Sequence, residues 1–137
     1  MSSNEYTDDA TIDNDADLWR RIPPWHLVHD HNQNRIRPTS AAFEDDEDGS
    51  PMSVVLADVV IEAGRSETEI LVGHEGFAMA AITAGLGREC AQKIVRNPLP
   101  EEPAHALLVG RKTDSVRKRF AKSCRWVIHP DPSFANH

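Results

Sequence analysis

Most of the signatures that announce a function are missing from this sequence. No apolar run approaches the roughly 18 residues that a membrane span needs. The longest candidate, Phe77 to Leu86, is broken by Thr83 and Gly85 and suits a packed core. The N-terminus has no basic stretch followed by an apolar one, so no export signal is expected and the chain reads as cytoplasmic, off the membrane. Two cysteines, Cys90 and Cys124, are too few for a disulfide framework and lack C-x-x-C spacing. Each lies among apolar neighbours and reads as a buried thiol. Gly85-x-Gly87 lacks the third glycine of a phosphate loop and reads as a turn, so no cofactor is expected. Apolar residues make up 39%, a shortfall that points to a part of the chain with little to bury. A length of 137 residues leaves room for one core.

What is present is segregated charge. The net charge is -7, yet residues 1–17 hold Glu5, Asp8, Asp9, Asp13, Asp15 and Asp17 without a base, and Glu44-Asp45-Asp46-Glu47-Asp48 forms a second acidic run. The remaining body is mildly basic. Residues 1–17 offer almost nothing to bury against the entropy of ordering, so they are expected to be a disordered acidic leader. Residues 18–137 are then a single α+β domain.

The pattern along that domain is one of short elements. Leu18 to Ile22 reads as a strand ended by Pro23-Pro24. Residues 25–38 carry three His, three Asn/Gln and two Arg without a sustained period and read as a loop. Ile36 to Phe43 suggests a second short strand, and 44–50 a turn. Met52 to Ile61 is β-branched and apolar, a strand by composition, with a helix over 55–62 as the alternative. Phe77 to Thr83 and Ala104 to Val109 read as strands, Leu86 to Ala91 as a short helix, and 92–95 as a further strand. The proline-rich segment 98–103 reads as an exposed connector. The last helix is the clearest: Thr113 or Asp114 as N-cap, and Val116, Phe120, Cys124 and then Val127 as one apolar stripe. The fold class is therefore α+β, a small sheet with the C-terminal amphipathic helix packed on it.

Several residues are candidates for chemistry. His26, His29 and His31 are suitable metal ligands, although their spacing matches no established motif. His105 opens an apolar strand, where an imidazole can face a cleft and move a proton near neutral pH. His74 beside Glu75 is a weaker acid–base pair. Residues 111–125 hold seven bases and one acid. Lys118, Lys122 and Arg125 share a helical face there, which suits phosphate contacts or an acidic partner. The acidic leader or the 44–48 run is a competitor for that face. Trp25, between prolines and a histidine, is expected to be partly exposed and available to a partner. Arg20, Thr39-Ser40 and Glu67-x-Glu69 follow the order of the motifs of ADP-ribosyltransferases, whose two packed sheets need a longer chain than this stretch supplies.

The stretches Leu18-Trp19-Arg20-Arg21-Ile22-Pro23, Ser40-Ala41-Ala42-Phe43, Met52-Ser53-Val54 and Pro103-Ala104-His105-Ala106 resemble a set of small bacterial proteins with no established activity. That resemblance implies a bacterial setting and makes Arg20, Ser40, Phe43, Ser53 and His105 the first positions to test. The expected function is a non-enzymatic accessory or protein-interaction component of a bacterial operon, toxin–antitoxin or defence systems being examples. Its basis is the charged leader, the Trp-Pro segment and the absence of a complete catalytic set. One alternative is a small enzyme, a hydrolase or ADP-ribosyl-transfer-like protein, with a pocket of Arg20, Ser40 and His105. Another is nucleic-acid or phosphate binding through residues 111–125.

Overall fold

The computed structural model describes residues 5–131. The strands are β1 (Asp17–Ile22), β2 (Leu27–Asp30), β3 (Arg35–Pro38), β4 (Met52–Leu56), β5 (Ala78–Thr83), β6 (Lys93–Arg96), β7 (His105–Val109) and β8 (Arg125–Ile128). The helices are α1 (Ala57–Glu62), α2 (Ala84–Glu89) and α3 (Asp114–Ser123). Six strands form one antiparallel sheet in the order β6-β7-β4-β1-β5-β8, and β2 and β3 form a separate hairpin. This is an α+β fold.

Alternation along the central strands sorts side chains onto two faces. Leu18, Ile22, Val54 and Leu108 point to one, where Phe43 and Phe120 close the core. Those two rings meet edge-to-face at 5.9 Å, which ties α3 to the 3-10 turn Ser40–Phe43. Trp19, Val55, Met79 and Ala81 point to the other face, covered by Val60 and Ile70. That second cover is short, and it leaves the β4–β7 end of the face open.

Four expectations need correction. The acidic leader is not a long disordered tail. From Glu5 onward it packs along β6 and α2: Ile12 is buried, the Asp9 N–H donates to Ile94 O at 2.9 Å, and the Ile94 N–H donates to the Asp8 carboxylate at 2.8 Å. Arg88 and Arg96 neutralise Asp8 and Asp9, so the acids are part of the docking surface; residues 1–4 of the expected leader lie outside the described residues. Residues 27–38 form the β2–β3 hairpin, not a loop. Its turn is held by the Asp30 carboxylate, which accepts from the N–H groups of Asn32 and Gln33, and by Asn34 at φ 50°. Over 52–62 the strand stops at Leu56, and the alternative helix begins at Ala57. Finally, α3 ends at Ser123, so Val127 leaves the expected apolar stripe and Arg125 the expected basic face, both belonging to edge strand β8.

Candidate functional site

The site arises where two central strands part. β1 and β4 pair at Leu18–Leu56 and Trp19–Val55 and then separate. Arg20 fills the gap. Its Nε donates to Ala42 O at 3.0 Å, its Nη1 to Ser53 O at 2.8 Å, and its Nη2 reaches Glu44 O at 3.5 Å. Burial lowers the pKa of this guanidinium, while Asp46 and Asp45 oppose the shift. Arg20 therefore clamps backbone, with its donors turned to carbonyls of the 3-10 turn and β4.

Beside the clamp lies a cavity of about 240 Å³, lined among others by Arg21, Ser53, Val55, Leu99, Glu101 and His105. Ser53 and His105 sit on the paired strands β4 and β7, and their side chains meet on the open face. His105 Nε2 lies 3.1 Å from Ser53 Oγ, and its Nδ1 lies 2.9 Å from Asn97 O. A carbonyl only accepts, so Nδ1 carries a proton, and Nε2 is the ring nitrogen turned to the Ser53 hydroxyl. A hydroxyl facing an imidazole that is itself held by a third group is an arrangement in which the ring can take the hydroxyl proton.

Two of the charged groups around the cavity are held in place. Arg21 donates through Nε to Ile70 O at 2.8 Å, and burial lowers its pKa. Glu102 accepts from both Nη atoms of Arg65, at 2.7 and 2.9 Å, and from the Ala104 N–H at 3.1 Å. The Arg65 hydrogen bonds hold its carboxyl below the usual range. Glu102 is thus a locked wall and not a mobile base.

The other candidates are dispersed. Ser40 does not join Arg20 and His105; it lines a separate groove with Lys118 and Lys122. His29 and His31 bring their Nδ1 atoms to 2.9 Å, but His26 lies apart, with a buried Nδ1 that has no hydrogen-bond partner. Among the described residues no group of three or more His, Cys, Asp or Glu is arranged to hold a metal. His74 Nδ1 meets Val72 O at 3.1 Å and its ring packs on Phe77. Trp25 is 64% exposed, with its ring edge-to-face on Phe77 at 5.7 Å. Burial raises the Cys124 thiol to about 11, which makes it a poor nucleophile.

The basic segment is largely paired. Lys112 meets Asp45 at 2.8 Å and Arg117 meets Glu44 at 2.6 Å, so the second acidic run engages the start of the segment and not Lys118 or Lys122. Arg119 pairs with Glu89, and Arg125 with Asp17. Sequence reasoning missed Arg21 and Asn97. Arg21 alternates with Arg20 and so faces the opposite side of β1, which strand periodicity signals; the Asn97 backbone carbonyl carries no sequence signal. No protein-family model matches the chain, and comparison with curated proteins and with solved structures finds no match.

Proposed function

We propose that the cleft beside Arg20 is a hydrolytic site working by serine acyl transfer, with Ser53 as nucleophile and His105 as general base. The observation that carries this reading is the relay from Ser53 Oγ to His105 Nε2 and from His105 Nδ1 to Asn97 O. In the first half-reaction Ser53 Oγ attacks the substrate carbonyl carbon and its proton passes to Nε2. Collapse of the tetrahedral oxyanion breaks the bond to the leaving group, which takes that proton from His105. Water then attacks the acyl-serine by the same route, releasing the acid and restoring the hydroxyl. Arg21 supplies positive charge at the cleft for the oxyanion. A volume of about 240 Å³ and the apolar Val55 and Leu99 favour a short acyl group.

Hydrolysis of 4-nitrophenyl acetate and labelling by a fluorophosphonate test the proposal. Ser53→Ala and His105→Ala are each expected to bring hydrolysis to background, and mass spectrometry to place the label on Ser53. Labelling that persists in Ser53→Ala would sink it.

A second reading, a protein-interaction component of a bacterial operon, rests on a different surface. Trp25 at 64% and Val72 at 76% exposure flank the Phe77 and His74 rings. An exposed aromatic of that kind suits an interface anchor. A partner held there would lose affinity for Trp25→Ala and keep it for Ser53→Ala.

A further inference from the structure

Away from the cleft, the β2–β3 hairpin and α3 enclose a groove of about 580 Å³ whose walls include Arg35, Arg37, Ser40, Lys118 and Lys122. Val28 and Ala121 give it a partly apolar lining. The bases here differ from those elsewhere in the chain. Arg65, Arg88, Arg96, Lys112, Arg117, Arg119 and Arg125 each have a carboxylate partner. Arg20 and Arg21 are spent on backbone carbonyls, and Lys93 reaches Tyr6 O. Within the groove Arg37 pairs with Asp30, whereas Arg35, Lys118 and Lys122 have no ion-pair or hydrogen-bond partner among the described residues. Arg111 is the remaining base in that condition, and it lies outside the groove.

Gathering like charges is unfavourable, and the groove's one carboxylate, Asp30, is taken up by Arg37; a protein otherwise so thoroughly paired leaves three bases uncompensated at one concave place. We propose that this groove binds a compact ligand carrying two or more adjacent phosphates, of nucleoside-polyphosphate or inorganic polyphosphate chemistry. Lys118 and Lys122 stand one helical turn apart on α3 and Arg35 faces them from β3, so cations approach from two sides. The hydroxyls of Thr39 and Ser40 line the same space and can donate to phosphate oxygens. The volume is that of an ordinary small-ligand site. A long nucleic-acid duplex fits less well. The chain carries a net charge of -7, and Glu44 and Asp45 border the N-terminal end of α3, where an extended phosphate backbone would meet repulsion. A short ligand feels only charges within a screening length of about 8 Å at physiological salt. This site is independent of the Ser53–His105 cleft, which shares no lining residue with it.

The full chain titrated with inorganic tripolyphosphate by calorimetry at about 50 mM salt tests the proposal. Saturable binding is expected, weakening as salt is raised. The double variant Lys118→Glu, Lys122→Glu is expected to weaken it by about tenfold or more with its melting temperature retained. Arg111→Glu, which changes the same charge outside the groove, is expected to leave it unchanged. Ser53→Ala is likewise expected to bind as the parent chain does. No saturable binding at low salt, or equal weakening by Arg111→Glu, overturns the proposal. A short DNA duplex that binds more tightly than tripolyphosphate and is lost in the double variant replaces it with a nucleic-acid surface.

Discussion

Arg20 shows how a single side chain can be conspicuous in a sequence for a reason the sequence does not contain. A charged residue within an apolar strand invites a catalytic role, and Arg20 lines the cleft. Its donors, however, are turned to the carbonyls of Ala42 and Ser53, the latter 33 residues away. Whether a buried guanidinium serves ligand or backbone depends on where β1 and β4 diverge, which no local pattern encodes. Arg20→Lys keeps the charge and loses the fork, so buried acceptors go unmet. A loss of about 3 kcal/mol in urea unfolding is expected. His26 gives a second test at this scale. Burial, assisted by Arg20, lowers its pKa from the ordinary 6.5. As pH falls below that value the unfolded chain takes a proton that the folded chain still excludes, so stability declines until the lowered value is passed. Unfolding measured across this interval is expected to show the decline, and His26→Gln to flatten it. Ser53 is the converse of Arg20: its place in the sequence says nothing of a partner, and that partner appears only when β7 brings His105 beside it.

At the scale of elements, legibility followed length and periodicity. α3 was readable because Thr113, Val116 and Phe120 combine a cap with helical spacing. Its end was not, since Cys124 and Val127 continue an apolar spacing that the chain satisfies as a strand. Hydrogen bonding to β5 wins there: Ala80 and Ala81 pair with Trp126 and Arg125. The β2–β3 hairpin was hidden for another reason. Four residues per strand give too few alternations to register, and the turn between them is built from Asp30 and Asn34 without a glycine. The consequence for function is direct. No local pattern singles out Arg35, because its short strand carries no periodicity, and with it one wall of the basic groove stays hidden. The basic helix was visible; the hairpin opposite it was not.

On the scale of the whole molecule, the acidic N-terminal segment changes what the charge pattern means. Composition alone argues for disorder in a run of Asp, Asn and Thr. The outcome turns on complementary groups about 80 residues downstream, where Arg88 and Arg96 await Asp8 and Asp9. Burial of Ile12 supplies the apolar anchor. Ile12→Ala is expected to destabilise the fold by about 3 kcal/mol. Deleting residues 1–13 is expected to lower the melting temperature by more than Ile12→Ala does, and an unchanged value would return the segment to the status of a tail.

That arrangement also has an order in time. During synthesis the segment is made about 80 residues ahead of β6, the strand against which it lies, and cannot dock until Lys93 to Arg96 emerge. β1 faces the same delay, since its long partner β5 begins at Ala78. The acidic segment and β1 are thus made well before all of their partners exist. Until then Asp8 and Asp9 lack the two arginines that neutralise them in the finished fold, and the segment's charge is exposed to solvent.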